Sequence, residues 1–356
     1  MSSRRPPLPT QEPARSRWAR RAKTIPMMLA ITALALAVAP LVVPAVAVAD
    51  LVRGRRRLPT LRVYLFLLQY AVNDSVEILL APVYWLLAGC GTRLGSPASV
   101  RRHDRLQQWS IRLLARRAEQ LLGLRIEIDD GSMAALAPGP VVVLCRHVNL
   151  VDASLPSLLC LRLGMRTRGV IMAELLADPG FDLIYARTGS VFIPRDNGPE
   201  ALAMVATLAP HVDDRTAAVI FPEGRLFRPD RLERALTRLT DGNPERAARL
   251  AALRHVLPPR PGGTLALLHT LPAADVVVIA HAGLEEYASF AALARAVPLQ
   301  TPLVVTVWRI PAADVPAGLD ERAVWLDEQW LRVDGWVAAQ LADGPAARLV
   351  DHPNQG

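Results

Sequence analysis

Long apolar stretches near the N-terminus distinguish the first part of the chain from the rest. Residues 25–49 carry no charged side chain and, as an α-helix, are long enough to cross about 30 Å of hydrocarbon. A second apolar stretch, residues 63–88, contains Asn73, Asp74 and Glu77. Because such side chains are costly against lipid, this stretch is expected to pack on the first one or to lie at the membrane interface.

Two alternatives to a straight span remain open at the N-terminus. Pro40 and Pro44 would kink a helix, so a tilted hairpin with both ends in the cytoplasm is one alternative. Residues 47–50, AVAD, resemble a signal-peptide cleavage site. The long apolar core and the second apolar stretch favour an anchor over a cleaved signal.

From residue 124 onward, short β-branched runs alternate with stretches rich in Ala, Leu and Arg. The runs predict strands at 124–128, 140–145, 168–172, 190–194, 217–221, 275–280 and 303–309. Helices are predicted at 152–163, 198–209, 230–239, 244–253, 284–295 and 320–341. This alternation is typical of an α/β domain with a mostly parallel sheet flanked by helices.

The predicted organisation has four parts. A disordered basic tail (1–24) precedes membrane-anchoring hydrophobic segments (25–90), an α/β domain (91–345) and a short tail (346–356). Residues 100–123 predict an amphipathic helix with many arginines, which is either an ordinary surface helix or a helix lying on the bilayer.

The distribution of charge indicates lipid as the partner of the basic residues. The net charge is +8, yet residues 1–62 hold twelve Lys and Arg against two acids, and the rest of the chain holds 29 against 31. Basic residues around an apolar segment are typical of an anchor at the cytoplasmic face of a membrane, which argues against nucleic-acid binding. Three scattered cysteines give neither a disulfide framework nor metal-ligand spacing, so no metal is predicted.

Polar clusters follow three of the predicted strands. They are RHVNLVD (146–152), GSVFIPRDNG (189–198) and IFPEGRLFRP (220–229). Because sites in parallel sheets gather where strands end, we expect these clusters to lie together.

These clusters resemble the sequence blocks of the 1-acylglycerol-3-phosphate (lysophosphatidate) acyltransferase family. RHVNLVD resembles its His-x4-Asp block, GSVFIPR its second block and FPEG its third, while ADVVVIAHAG (274–283) stands where a weak fourth block belongs. The resemblance implies a membrane enzyme of phospholipid biosynthesis, with its active site on the cytoplasmic side. It would transfer an acyl group from acyl-CoA or acyl carrier protein to a lysophospholipid hydroxyl, without a cofactor.

The residues themselves fit that chemistry. His147 can take the proton from an acceptor hydroxyl and return one to the leaving thiolate, while Asp152 holds the other ring nitrogen. Asn149 is either a substrate contact or simply a turn residue. The candidates for the acceptor and its phosphate are Arg195, Glu223, Gly224 and Arg225, with Arg228 interpreted as a surface residue.

The sequence departs from the family in two places. It has Arg225-Leu226 where Thr-Arg usually follows Pro-Glu-Gly, and Arg146 where Asn usually precedes the histidine. An alternative function is therefore a non-catalytic lipid-binding protein or scaffold that retains the fold. A serine hydrolase would need G-x-S-x-G, which the sequence lacks. His281 has no evident partner acid and is interpreted as structural.

Overall fold

The computed structural model describes residues 12–149, 151–194, 198–287 and 290–342. Two sequence predictions, the role of Arg195 and the tail at 346–356, lie outside these residues.

The described residues form twelve α-helices and seven strands. The helices are α1 Ala14–Val52, α2 Pro59–Leu87, α3 Pro97–Arg117, α4 Asp130–Ala135, α5 Leu155–Arg162, α6 Ala186–Thr188, α7 Pro199–Ala206, α8 Pro229–Gly242, α9 Pro244–Leu250, α10 Pro261–Thr270, α11 Phe290–Ala296 and α12 Leu319–Ala342. The strands are β1 Ile126–Ile128, β2 Val141–Cys145, β3 Arg166–Met172, β4 Val191–Ile193, β5 Thr216–Ile220, β6 Asp275–Ala282 and β7 Leu303–Ile310. Each strand lies within two residues of its predicted bounds, whereas α4, α6 and α10 were not predicted.

The strands form one sheet in the order β1-β7-β6-β2-β5-β3-β4. Neighbouring strands are parallel except β6 and β7, which pair antiparallel. All five residues of β2 and of β5 are buried, as expected for central strands covered on both faces. One face packs against α12 through Trp330 and Val333, and the other against α5 through Leu159. The predicted α/β class with a mostly parallel sheet is confirmed.

Helices α1 and α2 form an antiparallel hairpin ahead of the sheet. Tyr64 donates a hydrogen bond to the carbonyl of Ala35, and the carboxylate of Asp50 accepts from Thr60 at the turn. Helix α1 continues through Pro40 and Pro44, so the hairpin lies between the two apolar stretches and not within the first. Both helices are long and apolar enough to cross a membrane, which on its own is weak evidence for membrane association.

The predicted disordered tail at 1–24 is wrong for residues 14–24, which are the first turns of α1. Asp182, which is buried in the sheet-bearing part, accepts hydrogen bonds from Arg20 at 2.8 Å and from Arg21 at 2.7 Å. The basic residues were interpreted as partners of membrane lipid, but two of them have a distant acid as partner. That partner, more than 150 residues away in the chain, fixes the start of the helix.

Helix α3 connects the hairpin to the sheet. Asp104 on α3 and Arg168 on β3 form a buried ion pair at 2.7 Å, and Leu106 and Ile111 are buried beside it. The opposite face keeps arginines such as Arg112 exposed. The predicted surface helix is therefore present, while contact of its arginines with lipid stays a prediction.

Candidate active site

The imidazole of His147 and the carboxylate of Asp152 lie together directly after β2. His147 Nδ1 is 2.5 Å from Asp152 Oδ1, and Asp152 Oδ2 accepts from the backbone amides of Val148 at 2.6 Å and Asn149 at 2.8 Å. The carboxylate of Asp152 therefore stabilises the turn that follows β2 by accepting from its backbone amides, as Asp side chains commonly do in turns. The sequence prediction that these two side chains are partners agrees with this geometry.

The environment of Asp152 keeps it charged. Burial raises the pKa of this carboxyl, but the hydrogen bond from His147, the nearby histidines and the backbone amides together bring the pKa below its ordinary value. An ionised carboxylate only accepts hydrogen bonds, so the proton of a neutral His147 sits on Nδ1 and the lone pair on Nε2. The Nε2 atom is the one that a general base needs.

The ring of His147 is held on one side and open on the other. It packs against the ring of Phe221, with the centroids 4.4 Å apart, and its side chain keeps 17% of its surface exposed. It forms part of the wall of a cavity of about 1050 Å³. The base therefore faces a space large enough for a lipid-sized substrate.

Glu223 of the FPEG turn is an internal clamp. It is buried, and its Oε1 accepts from the backbone amide of His147 at 2.9 Å while Oε2 accepts from that of Leu257 at 2.8 Å. Burial raises the pKa of this carboxyl to about 7. Both oxygens are occupied within the protein, so the geometry gives Glu223 a role in positioning His147 and does not point it at an acceptor. The segment after this turn contacts His147 as well, because the amide of Phe227 donates to the carbonyl of His147 at 2.7 Å.

Arg146 ties the end of β2 to its surroundings. Its guanidinium is fully buried and donates to the carbonyl of His281 and to Glu285, both at 2.6 Å, and to the carbonyl of His255 at 2.7 Å. The arginine that departs from the family's block is therefore a structural residue here.

His281 lies behind the catalytic pair. Its Nε2 is 3.0 Å from the carbonyl of Arg146 and 3.5 Å from Asp152 Oδ2. Burial lowers the pKa of this imidazole, so it is neutral and donates to the Arg146 carbonyl. The acid that sequence reasoning did not find beside His281 is thus Asp152 itself. The two meet because β2 and β6 are neighbours in the sheet.

Asn149 holds the turn of the first block. Its side-chain amide donates to the carbonyl of Tyr287, and its Oδ1 accepts from the amide of Val151 at 3.1 Å. These contacts favour the turn-residue interpretation over a substrate contact.

The two other substrate-binding candidates that the structure describes differ in position from each other, and Arg228 was interpreted as a surface residue. Gly224 lines the cavity with a φ of +64°, a conformation that glycine adopts without strain. Arg225 is exposed and lies outside the cavity wall, where its neighbour Leu226 stands instead. Arg228 is exposed and 3.3 Å from Asp230, as expected for a surface residue.

Residues 128–262 match the family model described as Acyltransferase. This stretch is therefore similar to the acyltransferase family. The matched range contains His147, Asp152 and the FPEG turn. The resemblance of the first and third blocks to acyltransferases is therefore confirmed.

No curated protein is significantly similar to this chain. Among solved structures, it is similar to the crystal structure of the 1-acyl-sn-glycerophosphate (LPA) acyltransferase PlsC from Thermotoga maritima. The match has 15% sequence identity, covers 76% of this chain and 98% of that one, and has a TM-score of 0.42. A similarity of that size supports no statement about activity.

The cavity that His147 lines extends to the hairpin. Apolar side chains of α3 and β3, among them Ile111, Leu114 and Ile171, line its walls, and Asn73, Asp74 and Glu77 of α2 line its far part. The costly polar residues of the second apolar stretch therefore point into the protein, as expected if α2 packs on other elements. The base and the apolar hairpin share one continuous space.

Proposed function

We propose that this protein transfers a fatty acyl group from acyl-CoA or acyl carrier protein to the free hydroxyl of a lysophospholipid. The acceptor that we propose is 1-acylglycerol-3-phosphate, which gives phosphatidic acid. The observation that carries the proposal is the His147–Asp152 pair, in which Asp152 holds Nδ1 and His147 lines a large apolar cavity next to the hairpin. The acyltransferase match at 128–262 supports the reaction class.

The reaction follows from the state of the two side chains. His147 Nε2 takes the proton of the acceptor hydroxyl as its oxygen attacks the thioester carbonyl, and the charged carboxylate of Asp152 stabilises the imidazolium that forms. When the tetrahedral intermediate collapses, the carbon–sulfur bond breaks and the imidazolium returns the proton to the thiolate. The products are the acylated acceptor and a free thiol, and no covalent enzyme intermediate is needed.

The same proposal places the protein at the cell membrane with its active site on the cytoplasmic side. The cavity borders α2 and α3, so an acceptor whose acyl chain stays in the lipid could reach His147 with its head group. Basic residues on both sides of the apolar part of α1 are suited to anionic lipid head groups and support contact with the membrane, but they do not favour one orientation of the helix.

Release of free thiol, measured over a panel of lysolipids and acyl donors, tests the function. His147→Ala is expected to lower kcat by about 100- to 10,000-fold, the contribution typical of a general base. His269→Ala, an exposed histidine of α10, is the matched control and is expected to retain activity. Near-full activity of His147→Ala would contradict the assignment of the base.

A non-catalytic lipid-binding protein is the second candidate, favoured by the exposed position of Arg225 and by Leu226 in the cavity wall. It predicts that the wild-type protein binds lysolipids and releases no thiol with any donor. Steady thiol release with one acceptor would reject it.

A further inference from the structure

A cationic side chain that belongs to none of the sequence blocks reaches the reaction cavity. Arg260 directly precedes α10 and lines the same cavity as His147, Phe221 and Gly224. Within the described residues, the guanidinium has no acidic partner and no hydrogen-bonded carbonyl. An unpaired, half-buried arginine in the same cavity as the proposed base is available for an anionic substrate group.

The backbone fixes Arg260 against the FPEG turn. Its amide donates to the carbonyl of Pro222 at 2.8 Å, and three residues earlier the amide of Leu257 donates to Glu223 at 2.8 Å. The other oxygen of Glu223 accepts from the amide of His147. One carboxylate therefore holds both the segment that carries the base and the segment that leads to Arg260.

Gly224 makes room for the arginine side chain. A Cβ atom at this position would lie 3.1 Å from Cδ of Arg260, tighter than ordinary packing allows. The glycine of the turn thus lets the side chain of Arg260 pass close over the backbone. The charged neighbours of Arg260 also carry the same sign. Burial and the nearby Arg225 and Arg238 lower the pKa of Arg260.

We propose that Arg260 binds the phosphate of the acceptor, in the place that sequence reasoning gave to Arg225. This inference rests on the proposed function. In 1-acylglycerol-3-phosphate, the phosphate is attached to the carbon next to the one that bears the reacting hydroxyl, so it must bind close to His147. The phosphates of acyl-CoA, a second source of the same chemistry, are separated from the thioester by the whole pantetheine arm.

Steady-state kinetics of Arg260→Met separates these sources. The KM for 1-acylglycerol-3-phosphate is expected to rise about 10- to 100-fold, the loss typical of a hydrogen-bonded charge pair, while the KM for acyl-CoA stays near its wild-type value. Arg260→Lys keeps the charge without the two-pronged geometry, and is expected to recover part of the loss. Arg234→Met, an exposed arginine of α8 outside the cavity wall and not among the charges that act on Arg260, is the matched control.

Two kinetic outcomes would overturn the proposal. A rise in the KM for acyl-CoA alone would assign Arg260 to the donor. An unchanged KM for the acceptor in Arg260→Met, together with a raised one in Arg225→Met, would return the phosphate to Arg225.

Binding without turnover separates this inference from the proposed function. In the His147→Ala background, 1-acylglycerol-3-phosphate in detergent micelles is expected to raise the unfolding temperature more than monoacylglycerol, which lacks the phosphate. Adding Arg260→Met or Arg260→Lys should abolish or reduce that difference, even if the wild-type protein transfers no acyl group. A difference that survives both substitutions would contradict the role of Arg260.

Discussion

The strands of the sheet bury their apolar side chains inside the protein, whereas α1 leaves many of its own exposed. All residues of β2 are fully buried, while Leu34 and Leu41 of α1 are 65% and 75% exposed. Large exposed apolar surfaces on a folded protein mark a contact with a partner or with lipid. The same kind of residue thus stabilises the fold in one region and offers a surface to the surroundings in the other.

The buried polar groups of the two regions differ as well. At the carboxyl ends of the central strands β2 and β5, each carboxylate oxygen of Asp152 and Glu223 has a hydrogen-bond partner. In α2, one oxygen each of Asn73, Asp74 and Glu77 is buried with no partner among the described residues. The site after the central strands is thus preorganised by its own contacts, while the polar side chains of α2 line the shared cavity.

The largest expected effect is in the sheet. Val278→Asp places a carboxylate at a fully buried position of β6 and is expected to cost more than about 4 kcal/mol, enough to unfold most of the domain. Circular dichroism of the purified protein checks this. Val48→Asp in α1, at an apolar position that is 58% exposed, is the control and should leave the helical signal in detergent unchanged.

A smaller effect is expected when a carboxylate is placed on the exposed face of the hairpin. Leu34→Asp should leave the fold intact in detergent but weaken membrane insertion by about 2.5 to 3.5 kcal/mol, the cost of Asp near the middle of a membrane helix. Partition between membrane and soluble fractions measures it. If both Leu34→Asp and Val48→Asp remained fully in the membrane fraction, the result would contradict the interpretation that the exposed apolar side chains of α1 contact lipid.

The smallest effect, taken per pH unit, concerns the carboxyl of Glu223, which holds the segment that follows β2. Because the pKa of Glu223 rises from 4.5 to about 7 on folding, the folded protein holds a proton that the unfolded chain has released between these values. The free energy of unfolding should therefore fall as the pH rises through this window. Glu223→Gln does not titrate, so its slope should be shallower by up to about 1.4 kcal/mol per pH unit.

Denaturant unfolding at several pH values measures that slope. Glu233→Gln, at an exposed position of α8, is the control and should keep the wild-type slope. Equal slopes for Glu223→Gln and the wild-type protein would show that the clamp does not hold a proton in the folded state.

Local patterns predicted the strands and the catalytic pair because both depend on residues close in sequence. Continuous apolar runs such as 141–145 define a buried strand by themselves, and His147 and Asp152 are only five residues apart. Helix α10 was not predicted because it begins with Pro261, Gly262 and Gly263, residue types that are typical of turns and helix ends. Its apolar residues, including Leu267, are nevertheless buried against the sheet.

Contacts between distant residues were beyond the sequence. The partners of Arg20 and Arg21, the pairing of His281 with Asp152 and the position of Arg260 all depend on how the strands and turns meet. Glu223 shows the same difficulty. Its FPEG block was found, but its neighbouring arginines suggested a substrate contact, whereas its oxygens accept from two backbone amides.

The shared carboxylate of Glu223 also constrains how this protein can change over evolutionary time. A substitution that shifts the loop at Leu257 to suit a new head group would pull on the amide of His147 as well. New acceptor preferences are therefore more easily acquired through side chains on this frame, such as position 260, than by remodelling the loop itself.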